Sequence, residues 1–131
     1  MSKKNFGVWI WALILFMEYM PYGAVCVFSN GPGQSMRCLY SYFDPLPFGY
    51  ANFGPLLTAL LSVLAAICLL FYLFSKKEQW LKAISSLSCV AFVTSLLPLM
   101  FGLKYLSALG LLISLFLLVS YFWCKSIIKK Q

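Results

Sequence analysis

The chain has 131 residues, of which 63 % are hydrophobic and 10 % charged, and its formal net charge is +7 at pH 7. Soluble domains contain about 25 % charged residues, and a soluble protein of the present composition would expose apolar patches that promote aggregation. The composition therefore excludes an ordinary soluble domain and predicts a protein that lies in a lipid bilayer.

Four apolar segments of 20 to 23 residues follow one another along the chain. A helix of about 20 residues spans the hydrocarbon core of a bilayer, and leucine-rich runs without alternation are not typical of barrel strands. We therefore expect an all-α fold, with residues 1–131 forming a single integral membrane domain. Its four transmembrane helices would be Phe6–Phe28, Phe53–Phe74, Trp80–Phe101 and Tyr105–Cys124, with an external loop at Ser29–Asn52.

The basic residues are unevenly divided between the two sides of these predicted spans. Arg37 and Lys104 fall on one side, and eight lysines fall on the other. Because cytoplasmic loops carry the excess of Lys and Arg, we expect a multi-pass protein of the inner (plasma) membrane with both termini in the cytoplasm. These basic residues lie at the ends of the spans and not in one patch, so we expect no nucleic-acid partner. The eight lysines are Lys3, Lys4, Lys76, Lys77, Lys82, Lys125, Lys129 and Lys130.

The first segment has some features of a signal peptide, because two lysines precede an apolar run. The run continues through Glu18 and Pro21, however, and no small-residue cleavage site follows near Gly23–Ser29. We therefore expect this segment to be retained as the first transmembrane helix.

Glu18 is the only charged residue deep inside a predicted span. A central acid costs about 2.5–3.5 kcal/mol on insertion, and a low dielectric favours its neutral form. In a continuous helix Trp11, Glu18 and Tyr22 share one face.

Three interpretations of Glu18 remain open. It could form a hydrogen bond to a serine of the third span or of a partner subunit, or it could have a proton- or cation-coupling role in a small exporter. The third is an ion pair with Arg or Lys of another membrane protein. A lone acid in the first of four short spans is similar to the small multidrug resistance exporters, although their loops are short throughout.

Two cysteines fall on the external side, where disulfides persist. A Cys26–Cys38 bridge would close a loop of about 13 residues and stabilise the fold by about 3 kcal/mol in the chain-entropy model. The sequence contains no histidine and no C-x-x-C pair, so we expect no metal site, no cofactor and no catalytic triad. A quinone-linked membrane thiol oxidoreductase is the enzymatic alternative.

The external loop is rich in aromatic side chains, which favour the headgroup level of a membrane. We expect it to lie on the outer surface as a partly buried lid, either without a ligand or as a recognition surface for a partner or small molecule. The side chains assigned to this surface are Met36, Arg37, Tyr40, Tyr42 and Phe48.

Small residues mark the predicted third and fourth spans. Ser107, Gly110 and Ser114 lie on one helical face, and small residues let membrane helices approach closely. We expect this face to pack against the serine-rich third span; a polar pathway lined by hydroxyl groups is the alternative.

Cys26 followed by Met36-Arg37-Cys38-Leu39-Tyr40-Ser41 resembles an uncharacterised family of small bacterial four-span membrane proteins. Its members typically show an upstream cysteine, then Met-Lys-Cys, a variable or His position, an aromatic residue and Thr or Ser. Leu39 departs from that pattern where His is frequent, and 44–52 resembles an insertion. The resemblance implies an association with membrane transport systems and no established activity.

The function expected from the sequence is that of a non-enzymatic accessory or interaction subunit in a membrane complex, such as a transporter. Its partners would be the bilayer and another membrane protein or a second copy of the chain. The alternatives are a small proton-coupled exporter that uses Glu18 and a self-immunity protein of the bacteriocin type.

Overall fold

The computed structural model of the protein describes residues 2–44 and 53–130. In this part of the chain there are four α-helices and one antiparallel hairpin, and two short 3-10 segments, Leu97–Phe101 and Leu103–Tyr105, lie between the last two helices. The elements in chain order are α1 (Lys3–Tyr19), β1 (Ala24–Gly31), β2 (Gln34–Tyr40), α2 (Gly54–Ser75), α3 (Glu78–Ser95) and α4 (Ala108–Ile128).

Among the described residues, three helical segments are long and apolar enough to cross a membrane: Gly54–Ser75, Glu78–Phe101 and Ala108–Ile128. Their outward faces carry exposed leucine, valine and phenylalanine side chains, which is the surface that lipid accommodates. The prediction of these three long apolar helices is therefore confirmed, and their length and composition are compatible with a membrane protein.

Hydroxyl groups join the faces of α2, α3 and α4 that point towards one another. The Thr58 and Thr94 hydroxyls lie 2.8 Å apart between α2 and α3, and those of Ser95 and Ser114 lie 2.7 Å apart between α3 and α4. These contacts fit the antiparallel order that the two-residue connection between α2 and α3 imposes. The expected packing of Ser114 against the third span is confirmed.

The described chain is mostly helical, as predicted, but it also contains a small sheet. The predicted helix over Phe6–Phe28 is wrong, because α1 ends at Tyr19 and a β-hairpin follows. Proline disfavours the helical conformation of the residue before it, and Met20, which precedes Pro21, is extended with φ −62° and ψ 135°. The next residues are rich in valine and phenylalanine, which favour strands. At 17 residues α1 is about 26 Å long, which is shorter than the other three segments.

The hairpin replaces the beginning of the predicted external loop. Its turn, Pro32-Gly33, has proline and then a glycine with φ +79°, the order favoured by a type II turn. Asn30 is left without a partner in the register between Ser29↔Ser35 and Gly31↔Gln34, so a bulge lies beside the turn. The remainder of the predicted loop, 45–52, lies outside the described residues, and so does Phe48.

The other helix boundaries differ from the predicted spans by a few residues. The second span is correct to within one residue at each end. The third changes to 3-10 geometry around Pro98, which cannot donate a backbone hydrogen bond. The fourth begins at Ala108 because the Ser107 hydroxyl caps it by accepting the Gly110 N–H.

Gly7 is the point at which α1 packs most closely against α4. A Cβ atom at Gly7 would overlap the ring of Trp123. The indole cannot easily move away, since it is buried and its Nε1 donates a 3.0 Å hydrogen bond to the Lys3 carbonyl oxygen.

We expect Gly7→Ala to lower the free energy of unfolding in detergent by about 1–3 kcal/mol, the usual range for overpacking. Because Trp123→Leu removes the clashing ring, the double variant should lose less than the sum of the two single losses. Denaturant titration of the four proteins measures this coupling. Val8→Ala, at an exposed neighbouring position, is the control, and strictly additive losses would contradict the proposed contact.

Candidate functional site

The carboxyl group of Glu18 is enclosed between the end of α1 and the middle of α2. Its side chain is 0 % exposed, and the Ser62 hydroxyl donates a 2.7 Å hydrogen bond to Oε1. A serine partner was expected, but in the third span, and the structure places it in α2. The signal was present in the sequence: Thr58 and Ser62 are four residues apart and therefore lie on one face of an otherwise apolar helix.

The backbone of Glu18 anchors the chain that follows the hairpin. Its carbonyl oxygen accepts a 2.9 Å hydrogen bond from the Ser41 hydroxyl and a 3.0 Å bond from the Tyr42 N–H. Asp44 folds the same segment back on itself, since its carboxylate accepts the Ser41 N–H at 2.8 Å. Residues 41–44 thus form a closed cap over the end of α1.

The Tyr42 side chain, which belongs to this cap, packs between the base of the hairpin and the beginning of α4. Its side chain is 2 % exposed; a Cβ atom at Gly23 would lie 2.8 Å from the ring, and one at Gly110 would lie 3.0 Å from the phenol oxygen. Burial, and then the charge of Glu18, raises the pKa of the Tyr42 phenol, which therefore stays neutral. Sequence reasoning placed Tyr42 on an external surface and did not identify either glycine as its neighbour.

Ser107 links the two glycines at this contact. Its hydroxyl donates a hydrogen bond to the Gly23 carbonyl oxygen and accepts one from the Gly110 N–H at 2.9 Å. The small-residue face of α4 therefore has two uses: Ser114 meets α3, whereas Ser107 and Gly110 hold the hairpin.

The predicted grouping of Trp11, Glu18 and Tyr22 on one face is correct for only two of the three. Trp11 is buried beside Glu18, but Tyr22 is 57 % exposed, because the helix ends before it. Within the described residues, two buried polar atoms have no hydrogen-bond partner: Trp11 Nε1 and Glu18 Oε2.

The remaining side chains of the predicted external surface are exposed to different degrees. Met36 and Arg37 are exposed and Tyr40 is half-buried. The Arg37 guanidinium donates a 3.2 Å hydrogen bond to the Leu106 carbonyl oxygen, which ties β2 to the segment before α4.

Two cavities that are lined by described residues lie at this end of the helices. One, of about 460 Å³, lies between β2 and the beginning of α4, and the other, of about 280 Å³, lies beside the 41–44 cap. Glu18 lines neither of them, so the structure gives its carboxyl group no connection to either cavity. In the described ranges no three His, Cys, Asp or Glu side chains come together as a metal site would require.

The predicted Cys26–Cys38 disulfide is not formed: both thiols are free, and the two sulfur atoms are beyond bonding distance. The two residues are nevertheless direct partners across the hairpin. Burial, and then the neighbouring Cys38, raises the pKa of the Cys26 thiol, which lowers the fraction of reactive thiolate at neutral pH. The two side chains differ in access, since Cys26 is buried and Cys38 half-buried.

We expect an impermeant maleimide to label Cys38 in the native protein and Cys26 only after denaturation. The difference follows from the exposure and the raised pKa given above. Mass spectrometry of variants that retain only one of these two cysteines measures it. Rapid labelling of native Cys26 would contradict the structure. In the parent protein, which keeps both cysteines, a Cys38 that reacts only after reduction would show that the bridge forms in the protein as isolated.

No known protein family, no curated protein and no solved structure matches the chain.

Proposed function

We propose that the chain is a non-enzymatic accessory subunit of a larger membrane complex, such as a transporter, and that the hairpin contacts the partner. The observation that supports this function is the exposure of β2. In the described part of the chain its one strand partner is β1, and Met36 and Leu39 are 49 % and 43 % exposed. Unpaired strand edges with apolar side chains are surfaces on which other chains dock.

Glu18 has a structural role in this proposal. Its side chain joins α1 to α2 through Ser62, and its carbonyl oxygen holds the 41–44 cap. Both interactions fix the base of the hairpin relative to the helices. A pre-organised surface of this kind lowers the entropic cost of binding.

The test is affinity capture of the full chain from its native membrane in mild detergent, followed by identification of stoichiometric membrane partners. We expect Met36→Glu/Leu39→Glu to reduce partner recovery at least about tenfold, because two buried interface contacts of ordinary strength are lost. Gln34→Glu, which adds charge at an exposed polar site on the same strand, should retain the partner. Equal recovery with the double variant would overturn the assignment of the hairpin.

A proton-coupled exporter is the second candidate, favoured by one observation. Glu18 Oε2 is buried without a hydrogen-bond partner among the described residues, and buried membrane acids are typical of proton relays. In that case Glu18→Gln would abolish proton-driven substrate flux in vesicles while the protein remained folded. The accessory role instead predicts that Glu18→Gln retains the partner complex, since an amide oxygen can still accept the Ser62 hydrogen bond.

We also propose that α1 is a fourth, shorter span and that both termini are cytoplasmic in the inner membrane. The basis is the uneven distribution of the lysines. A reporter that is active only in the cytoplasm should be active when fused after Gln131 and inactive when inserted in the Pro32-Gly33 turn. The reverse pattern would show the opposite orientation.

A further inference from the structure

The larger of the two cavities, about 460 Å³, lies at the end of the helices opposite the lysine-rich termini. One wall comes from the hairpin and the turn before it, and the other comes from the beginning of α4. The lining residues are Tyr22, Arg37, Leu39, Ser107, Ala108 and Leu109.

The polar side of this cavity is positively charged. The Arg37 guanidinium is held by its bond to the Leu106 carbonyl oxygen, which uses one of its five N–H donors. Among the described residues one ion pair is present, between Lys82 and Glu78, so no carboxylate there balances Arg37. Ser107 is already occupied by its bonds to Gly23 and Gly110, which leaves the guanidinium as the main recognition group.

The other side of the cavity is apolar and continues along a helix face. Leu39 and Leu109 line it, and Leu112, one helical turn further along α4 on the same face, is 46 % exposed. A cation at the helix end above an exposed leucine face matches the two parts of a phospholipid.

We propose that this cavity binds one anionic phospholipid, with the Arg37 guanidinium on the phosphodiester oxygens and an acyl chain along Leu109 and Leu112. Guanidinium donors match phosphate geometry and form charge-assisted hydrogen bonds. Basic pockets beside membrane helices are a known setting for lipid headgroups. Leu39 belongs both to this cavity and to the proposed partner surface, but the lipid proposal is tested on the chain alone, so its failure is distinguishable from that of the partner proposal.

The experiment uses the purified full chain, delipidated in mild detergent and titrated with phosphatidylglycerol under native mass spectrometry. We expect retention of one lipid molecule, at least about tenfold weaker retention by Arg37→Gln, and unchanged retention by Lys104→Gln. Lys104 is the matched control, since it is the other cation at this end and does not line the cavity. Equal retention by Arg37→Gln and the parent, or equal losses in the two variants, would overturn the proposal.

Two further measurements complete the test. One distinguishes a lipid phosphate from free phosphate, and the other distinguishes loss of the site from failure of a variant to fold. Millimolar inorganic phosphate should leave lipid retention unchanged; competition at that concentration would assign the site to a soluble phosphate ligand and overturn the lipid proposal. Ala108→Trp fills the cavity while Arg37 remains, so it should abolish retention even if Arg37→Gln fails to fold. Retention by a folded Ala108→Trp protein would place the lipid elsewhere.

Discussion

Tyr42→Ala is expected to lower the free energy of unfolding by about 3–5 kcal/mol, the range for removing a large buried aromatic side chain. The ring is 2 % exposed and fills the contact between Gly23 and Gly110, so its loss leaves a cavity at the junction of the hairpin, α1 and α4. The hairpin should become mobile relative to the helices. Denaturant titration in detergent gives the stability, and protease sensitivity at the Pro32-Gly33 turn reports the loosening.

The matched control for this prediction is Tyr22→Ala. Tyr22 is 57 % exposed, so the same chemical change should cost less than about 0.5 kcal/mol, as surface substitutions usually do. Tyr42→Phe should retain most of the stability because the ring remains. A Tyr42→Ala protein as stable as Tyr22→Ala would show that the ring is not part of the core.

Glu18→Lys is expected to destabilise the protein by about 3–5 kcal/mol, whereas Glu18→Gln should cost less than about 1 kcal/mol. The lysine would leave an unpaired charge at a position that is 0 % exposed. The glutamine retains an oxygen that accepts the Ser62 hydrogen bond, and it is close to the neutral acid in shape. The same denaturant titration measures both variants.

Ser62→Ala tests the same hydrogen bond from the side of its donor. Removing the hydroxyl leaves Glu18 Oε1 without the hydrogen bond it now accepts, at a cost of about 1–3 kcal/mol. That loss should be smaller in a Glu18→Gln background than in the parent if the carboxyl group is charged, and similar if it is neutral. Glu18→Gln as damaging as Glu18→Lys would contradict this prediction and would show that the fold depends on the charge of the carboxylate rather than on a hydrogen-bond acceptor.

These predictions concern the contacts at the C-terminal end of α1, on which the stability of the protein is expected to depend most. Glu18, Tyr42 and Ser107 bring four elements together there: α1, α2, the hairpin and the start of α4. The exposed strand and the charged cavity depend on this junction for their position. Binding surfaces built on such a rigid base are more precise than those on free loops.

Hydropathy alone was sufficient to predict the membrane class and to locate the three long apolar helices. A run of about 20 apolar residues must satisfy its backbone within lipid, and a helix does so without help from the rest of the chain. The ends of α2 followed from composition for the same reason, and the Ser114 contact followed from the spacing of small residues.

The sequence was misleading between Pro21 and Phe28, because an apolar run of that length can be buried strand or helix and periodicity cannot separate them. The break at Pro21 was visible, but proline is common within membrane helices. What decided the outcome was pairing with β2, a contact between segments about 12 residues apart that hydropathy does not report.

The sequence by itself therefore determined where the three helices that are long and apolar enough to cross a membrane lie, and which acid is exceptional. Only the tertiary structure decided that α1 stops at Tyr19, that Ser62 rather than a serine of α3 meets Glu18, and that Tyr42 is a core residue. The physical reason is that local composition controls partition into lipid, whereas the partner of a polar or aromatic side chain depends on which elements pack beside it.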